Sequence, residues 1–105
     1  MKTKLLGAVL LAAAALAQAQ PIDRQARAWA ATCAACHGTD GRGSLGAPGT
    51  AIPPIGRDAE ASYRALLEFK NGQRPAATVM HQHAKGYTDE ELRRIAQHFA
   101  SLPTK

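Results

Sequence analysis

Three stretches of this chain repeat their apolar positions every three to four residues, the spacing of one helix face. In residues 21–35, Ala26, Trp29, Ala30 and Cys33 share a face, and the stretch is dominated by Ala and Arg, both good helix formers. In residues 58–71 the face is Tyr63, Leu66, Leu67 and Lys70, with Asp58 placed as N-cap and Gly72 as the stop beyond the last turn. Phe69 stands off that stripe, where it would cover the adjoining loop. The clearest pattern runs over residues 88–102: Leu92, Ile95, Ala96, Phe99 and Leu102 line one side, and Pro103 ends it. Thr88 with Glu91 three positions on is a capping box, Tyr87 and Leu92 occupy staple positions, and the acids at 89–91 suit the positive end of the helix dipole.

Two stretches carry no usable period. Residues 38–56 are rich in Gly and Pro and predict a long loop, with Ala47, Ile52 and Ile55 as its apolar positions. Residues 71–87 read as a second irregular segment. There is no internal repeat. The prediction is therefore an all-α domain of three main helices joined by Gly/Pro-rich loops.

The amino terminus does not belong to that domain. Lys2 and Lys4 precede an apolar run from Leu5 to Leu16, and Ala17-Gln18-Ala19 supplies an A-x-A cleavage site. These features predict a secretory signal peptide over residues 1–19 and a domain over residues 20–105, the rival being an uncleaved anchor. Beyond Ala19 the charges are 11 Lys and Arg against eight Asp and Glu, a balance of about +3. With no basic stripe interleaved with aromatics, nucleic acid is not the expected partner. A mildly basic surface suits protein docking, and Arg57, Arg74 and Lys85 are the candidate rim.

Chemistry is concentrated at Cys33-Ala34-Ala35-Cys36-His37, the C-x-x-C-H pattern of covalent c-type haem attachment. Two thiols three positions apart can add across the two vinyl groups of one haem, and the adjacent imidazole can bind the iron. A thioredoxin-like pair would need a βαβ setting, and a zinc site would need a second ligand cluster. The chain has only these two Cys. Haem is attached outside the cytoplasm in bacteria, so the motif and the predicted export agree. A metal-bound His donates its other ring N–H to an acceptor; Pro48 is the first candidate to supply that carbonyl, with Pro53 and Pro54 as rivals.

The other haem ligand is sought in residues 71–87. Met80 is the only Met beyond Met1, and a thioether opposite His raises the potential of an electron-carrying haem. His81 and His83 compete with it, and either would give a bis-His iron of lower potential. His98 lies beside an apolar face and reads as a surface residue.

The order of helix, CAACHG, Gly/Pro loop, middle helix, Met segment and capped last helix resembles a class I cytochrome c over the whole domain. That resemblance implies a small all-α fold around one haem c, with first and last helices crossing near Trp29 and Phe99. It implies Cys33 and Cys36 as thioether attachments, His37 as proximal ligand and Met80 as distal ligand. Residues 69–80 and 84–92 are further similar to the cytochrome subunit of flavocytochrome c sulfide dehydrogenases, which takes electrons from a flavoprotein. Members of that family often carry two haem domains, whereas this chain has one C-x-x-C-H, and residues 43–53 match loosely.

The function expected from this reading is periplasmic electron transfer, with a flavoprotein sulfide dehydrogenase subunit as partner and no catalysis by the chain alone. A free carrier between a dehydrogenase and a terminal oxidase is the alternative. A haem enzyme or gas sensor would need a labile distal position.

Overall fold

Asp23, Asp58 and Thr88 each start a helix by the same chemistry, a side-chain oxygen accepting from an otherwise unpaired backbone N–H. In the computed structural model, which describes residues 21–44, 51–74 and 78–103, Asp23 accepts from Ala26 N at 2.9 Å and opens α1, Arg24–His37. Asp58 accepts from Ala61 N at 3.1 Å and opens α2, Ala59–Lys70. Thr88 opens α4, Asp89–Ser101, with both halves of the capping box formed, Glu91 N to Thr88 Oγ1 at 3.1 Å and Thr88 N to Glu91 Oε1 at 2.9 Å.

The remaining helix, α3, is Thr78–Lys85. It lies where the sequence predicts an irregular segment, so the described residues hold four helices rather than three. The reason is tertiary. Eight residues are too short to show a helical period or to be stable alone. His81, Gln82 and His83 break up what apolar pattern there is, but Ala84 is buried and the helix packs on α2.

Helix α4 is the hub, packed on both α1 and α2. Its Leu92, Ile95, Ala96 and Phe99 are buried, as are Ala26 and Ala30 of α1. The small Ala side chains let α1 approach α4 closely. Trp29, Cys33, Ile55, Tyr63, Leu66, Leu67, Tyr87 and Leu102 are half-buried around this core. Trp29 and Phe99 thus both belong to the α1–α4 contact, and Tyr87 joins Leu92 as the staple pattern predicts. Phe69 meets the segment beyond α2 through Arg74, whose guanidinium stands 5.0 Å from its ring centre.

Charged pairs fasten the outside of the same helix. Arg94 makes two bonds to Asp23, at 2.8 and 2.7 Å, and lies over the Trp29 ring. Arg93 pairs with Glu60 at 2.7 Å and covers Tyr63 at 4.1 Å. Asp89 takes Lys70 at 2.7 Å. No described helix is long and apolar enough to cross a membrane. The proposed signal peptide, Ala47 and Pro48 lie outside the described residues.

Candidate functional site

Helix α1 carries Cys33 and Cys36 one turn apart and ends on His37, so the helical period places both thiols and the imidazole on its final turns. The thiols are free. Cys33 is half-buried, and burial pushes its thiol pKa up, while Cys36 is exposed. Among the described residues no group of three or more His, Cys, Asp or Glu gathers into a metal cluster.

The His37 ring is fixed by one bond, Nδ1–H to the carbonyl of Pro53 at 2.7 Å. Among the described residues the acceptor is thus Pro53, one of the rival candidates, while Pro48 lies outside them. The loop after α1 turns back on itself and aligns its two arms. Gly43 N donates to His37 O at 2.7 Å, Ser44 and Ile52 exchange bonds of 3.0 and 3.1 Å, and Ile55 N donates to Gly41 O at 2.7 Å. That register carries Pro53 to the imidazole. Gly43 makes it possible: its φ is +82°, and a Cβ there would stand 2.3 Å from Ile52 O and 2.9 Å from the carbonyl carbon of Pro53. With Nδ1 occupied as a donor, Nε2 keeps its lone pair for a metal.

Met80 stands on α3. It lines an apolar cleft with Cys33, Leu66, His83, Ala84, Tyr87, Leu92 and Ile95, to which all four helices contribute. The structure therefore brings Met80 and Cys33 into one cleft, while Cys36 and His37 stand outside its lining. His83 stands on the same wall, one turn of α3 from Met80. His81 is engaged elsewhere, donating from Nε2 to Arg74 O at 2.6 Å. His98 lies edge-on to Phe99, with ring centres 5.3 Å apart, and burial together with Arg27 pushes its pKa down.

Two of the three proposed docking cations have other occupations. Arg57 donates to Phe99 O at 2.7 Å and to Asp40 O at 2.8 Å, and Arg74 pairs with Glu68 at 2.8 Å. Lys85 is exposed. The sequence also gave no warning of the hydroxyl pair Thr32–Tyr87, 2.8 Å apart, which joins α1 to the residue before the α4 cap. Partners 55 positions apart leave no mark in local spacing.

A c-type haem fits this donor set. Two free thiols at i and i+3 stand beside an imidazole whose Nδ1 is already a donor, and a thioether lies in an apolar cleft shared with one of those thiols.

Comparison with known proteins agrees with the geometry. Residues 20–99 match the family described as cytochrome c oxidase, cbb3-type, subunit III. The chain is 49% identical over 75 residues to the cytochrome subunit of sulfide dehydrogenase of Chlorobaculum tepidum, an overlap of 70% of this chain and 63% of that protein. It thus spans less than two thirds of that relative's length. It is also 34% identical over 77 residues to cytochrome c-554(548) of Halomonas halodenitrificans, covering 67% of this chain and 83% of the relative.

Proposed function

The chain belongs to the cytochrome c family, and from that premise we propose that it carries single electrons in the periplasm through one haem c. Cys33 and Cys36 would hold the group as thioethers, and His37 and Met80 would supply the ligands to its iron. The observation that carries this reading is the bond from His37 Nδ1–H to Pro53 O at 2.7 Å. It fixes the tautomer and leaves the Nε2 lone pair for a metal, as metal-bound imidazoles require.

The haem supplies a one-electron iron couple, and the chain supplies its surroundings. Pro53 holds the imidazole against rotation. Met80 offers a soft, neutral sulfur, and His with Met raises the potential. Leu66, Leu92 and Ile95 keep the cleft around Met80 apolar. With His37 and Met80 both committed to the iron, the chain would leave it no open position for a substrate.

Met80→Ala tests the ligand set. The expected outcome is a lower potential and prompt carbon monoxide binding by the reduced protein. An unchanged spectrum and potential would transfer the role to His83, which shares the cleft wall and would make a bis-His iron.

The electron donor is inferred from the 49% identity to a sulfide dehydrogenase cytochrome subunit: a flavoprotein that oxidises sulfide. The second reading, a free shuttle to a terminal oxidase, is favoured by the 83% coverage of a small cytochrome c. Gentle purification from the periplasm separates them. Flavin and a larger polypeptide in the haem peak would establish the complex; a small red protein without flavin would establish the shuttle. Export is tested on the same material, whose mature chain is expected to begin at Gln20.

A further inference from the structure

The carbonyl that fixes His37 sits in a part of the loop that cannot hold itself in place. Pro53 and Pro54 have no backbone N–H, so this arm offers acceptors and no donors across two consecutive residues. Its position depends on ties to either side. On one side is the Ser44–Ile52 bridge. On the other are the bond from Ile55 N to Gly41 O and the side chain of Arg57.

Arg57 is unusual among the described cations. Arg42, Lys70, Arg74, Arg93 and Arg94 all pair with carboxylates. Arg57 spends its planar fork on two backbone carbonyls, Asp40 O at 2.8 Å on the arm leaving α1, and Phe99 O at 2.7 Å in the last turn of α4. Both bonds are part-buried. The Phe99 carbonyl, at the helix end, accepts only a long bond of 3.4 Å from Leu102 N besides, and a cation there also suits the helix dipole. Beside this clamp, Gly41 is buried against Phe99 and Ile55, and a Cβ on it would meet them at 3.0 and 3.3 Å. One guanidinium therefore ties both arms of the loop to the core helix.

We propose that Arg57 is a positioning residue for His37, holding the loop shut so that the Pro53 carbonyl stays on Nδ1. The inference rests on the reading of His37 as proximal ligand and concerns how firmly that ligand is held. Lys cannot replace Arg here in full, because a single ammonium lacks the fork that reaches two carbonyls in fixed directions.

The test compares holoprotein with Arg57, Arg57→Gln and Arg57→Lys by NMR, reading exchange of the His37 Nδ1 proton against the slowest amides of α4. The expected result is that Arg57→Gln speeds the ring proton by about tenfold more than those amides, the scale of one charge-assisted hydrogen bond. Arg57→Lys should fall between. Arg93→Gln, which breaks a tie from α4 to α2, should leave the ring proton in step with the amides. If the ring proton follows the α4 amides in both Arg57 variants, Arg57 serves stability only and the proposal fails. Should Arg57→Gln not accumulate with haem, the Arg57→Lys comparison decides alone. Failure of the ligand reading looks different: the unsubstituted protein would then show no paramagnetically shifted His37 ring proton.

Discussion

Gly43 is the residue on which the proximal side turns. A positive φ and a backbone oxygen 2.3 Å from any Cβ leave room for glycine alone. Gly43→Ala must therefore push the Ile52–Pro53 arm away from His37. The expected cost is about 1–3 kcal/mol of stability from backbone strain, more with the clash, read as a lower urea midpoint, together with faster exchange of the His37 ring proton. Retention of both would mean that the loop yields without moving Pro53. On the distal side the same scale separates three neighbouring candidates. Met80 lines the apolar cleft, His83 stands exposed at its edge, and His81 is committed to the Arg74 carbonyl. Residue type nominated all three; the rotation of α3 puts Met80 and His83 on one cleft wall and turns His81 to another partner.

Among the elements, α4 combines the strongest local signals with the largest share of the core. Its capping box satisfies two backbone donors, and its buried Leu92, Ile95 and Phe99 meet α1 and α2. Thr88→Ala should cost about 1 kcal/mol, the usual value of an N-cap side chain, measured by denaturant unfolding of the holoprotein. Because Tyr87 precedes the cap and shares a hydroxyl bond with Thr32, this start is also anchored to α1. Helix α3 is the contrasting case. It has no clean apolar stripe, and its eight residues acquire their helical form by packing on α2. It was invisible to periodicity for that reason.

At the scale of the whole molecule, Asp23 links the first helix to the last. It caps α1 and holds Arg94 of α4; the Arg94 bond, then the bond from Ala26 N, lowers its pKa to about 2 from an ordinary 3.8. A carboxylate depressed in this way stabilises the folded state above its unfolded pKa. The contribution is lost as pH falls from about 4 towards 2. Asp23→Asn should therefore lower stability in the neutral region, flatten the acid limb of the stability–pH curve and converge with the parent protein as pH falls towards 2. An acid limb unchanged by the substitution would locate the proton uptake elsewhere. The pair also screens Trp29, over which Arg94 lies, so the crossing of α1 and α4 is fastened by a core of Ala, Ile and Phe within and by charge without.

By itself the sequence determined the features that short-range chemistry decides. Asp23, Asp58 and Thr88 start helices because their side chains reach backbone donors about three residues away, and the α4 stripe reflects the helical period of about 3.6 residues. Cys33, Cys36 and His37 form the C-x-x-C-H pattern on which the proposal of haem attachment rests, legible because its residues are neighbours on one helix end. Tertiary structure decided the features that depend on partners far apart in the chain. Pro53 meets His37 because the loop arms align in one register. Arg57 clamps the loop because α4 presents the Phe99 carbonyl 42 positions away. Met80 enters the cleft because α2 supports a helix too short to announce itself. Local pattern records bonds within a turn or two; it carries no record of contacts that exist only once the chain has closed on itself.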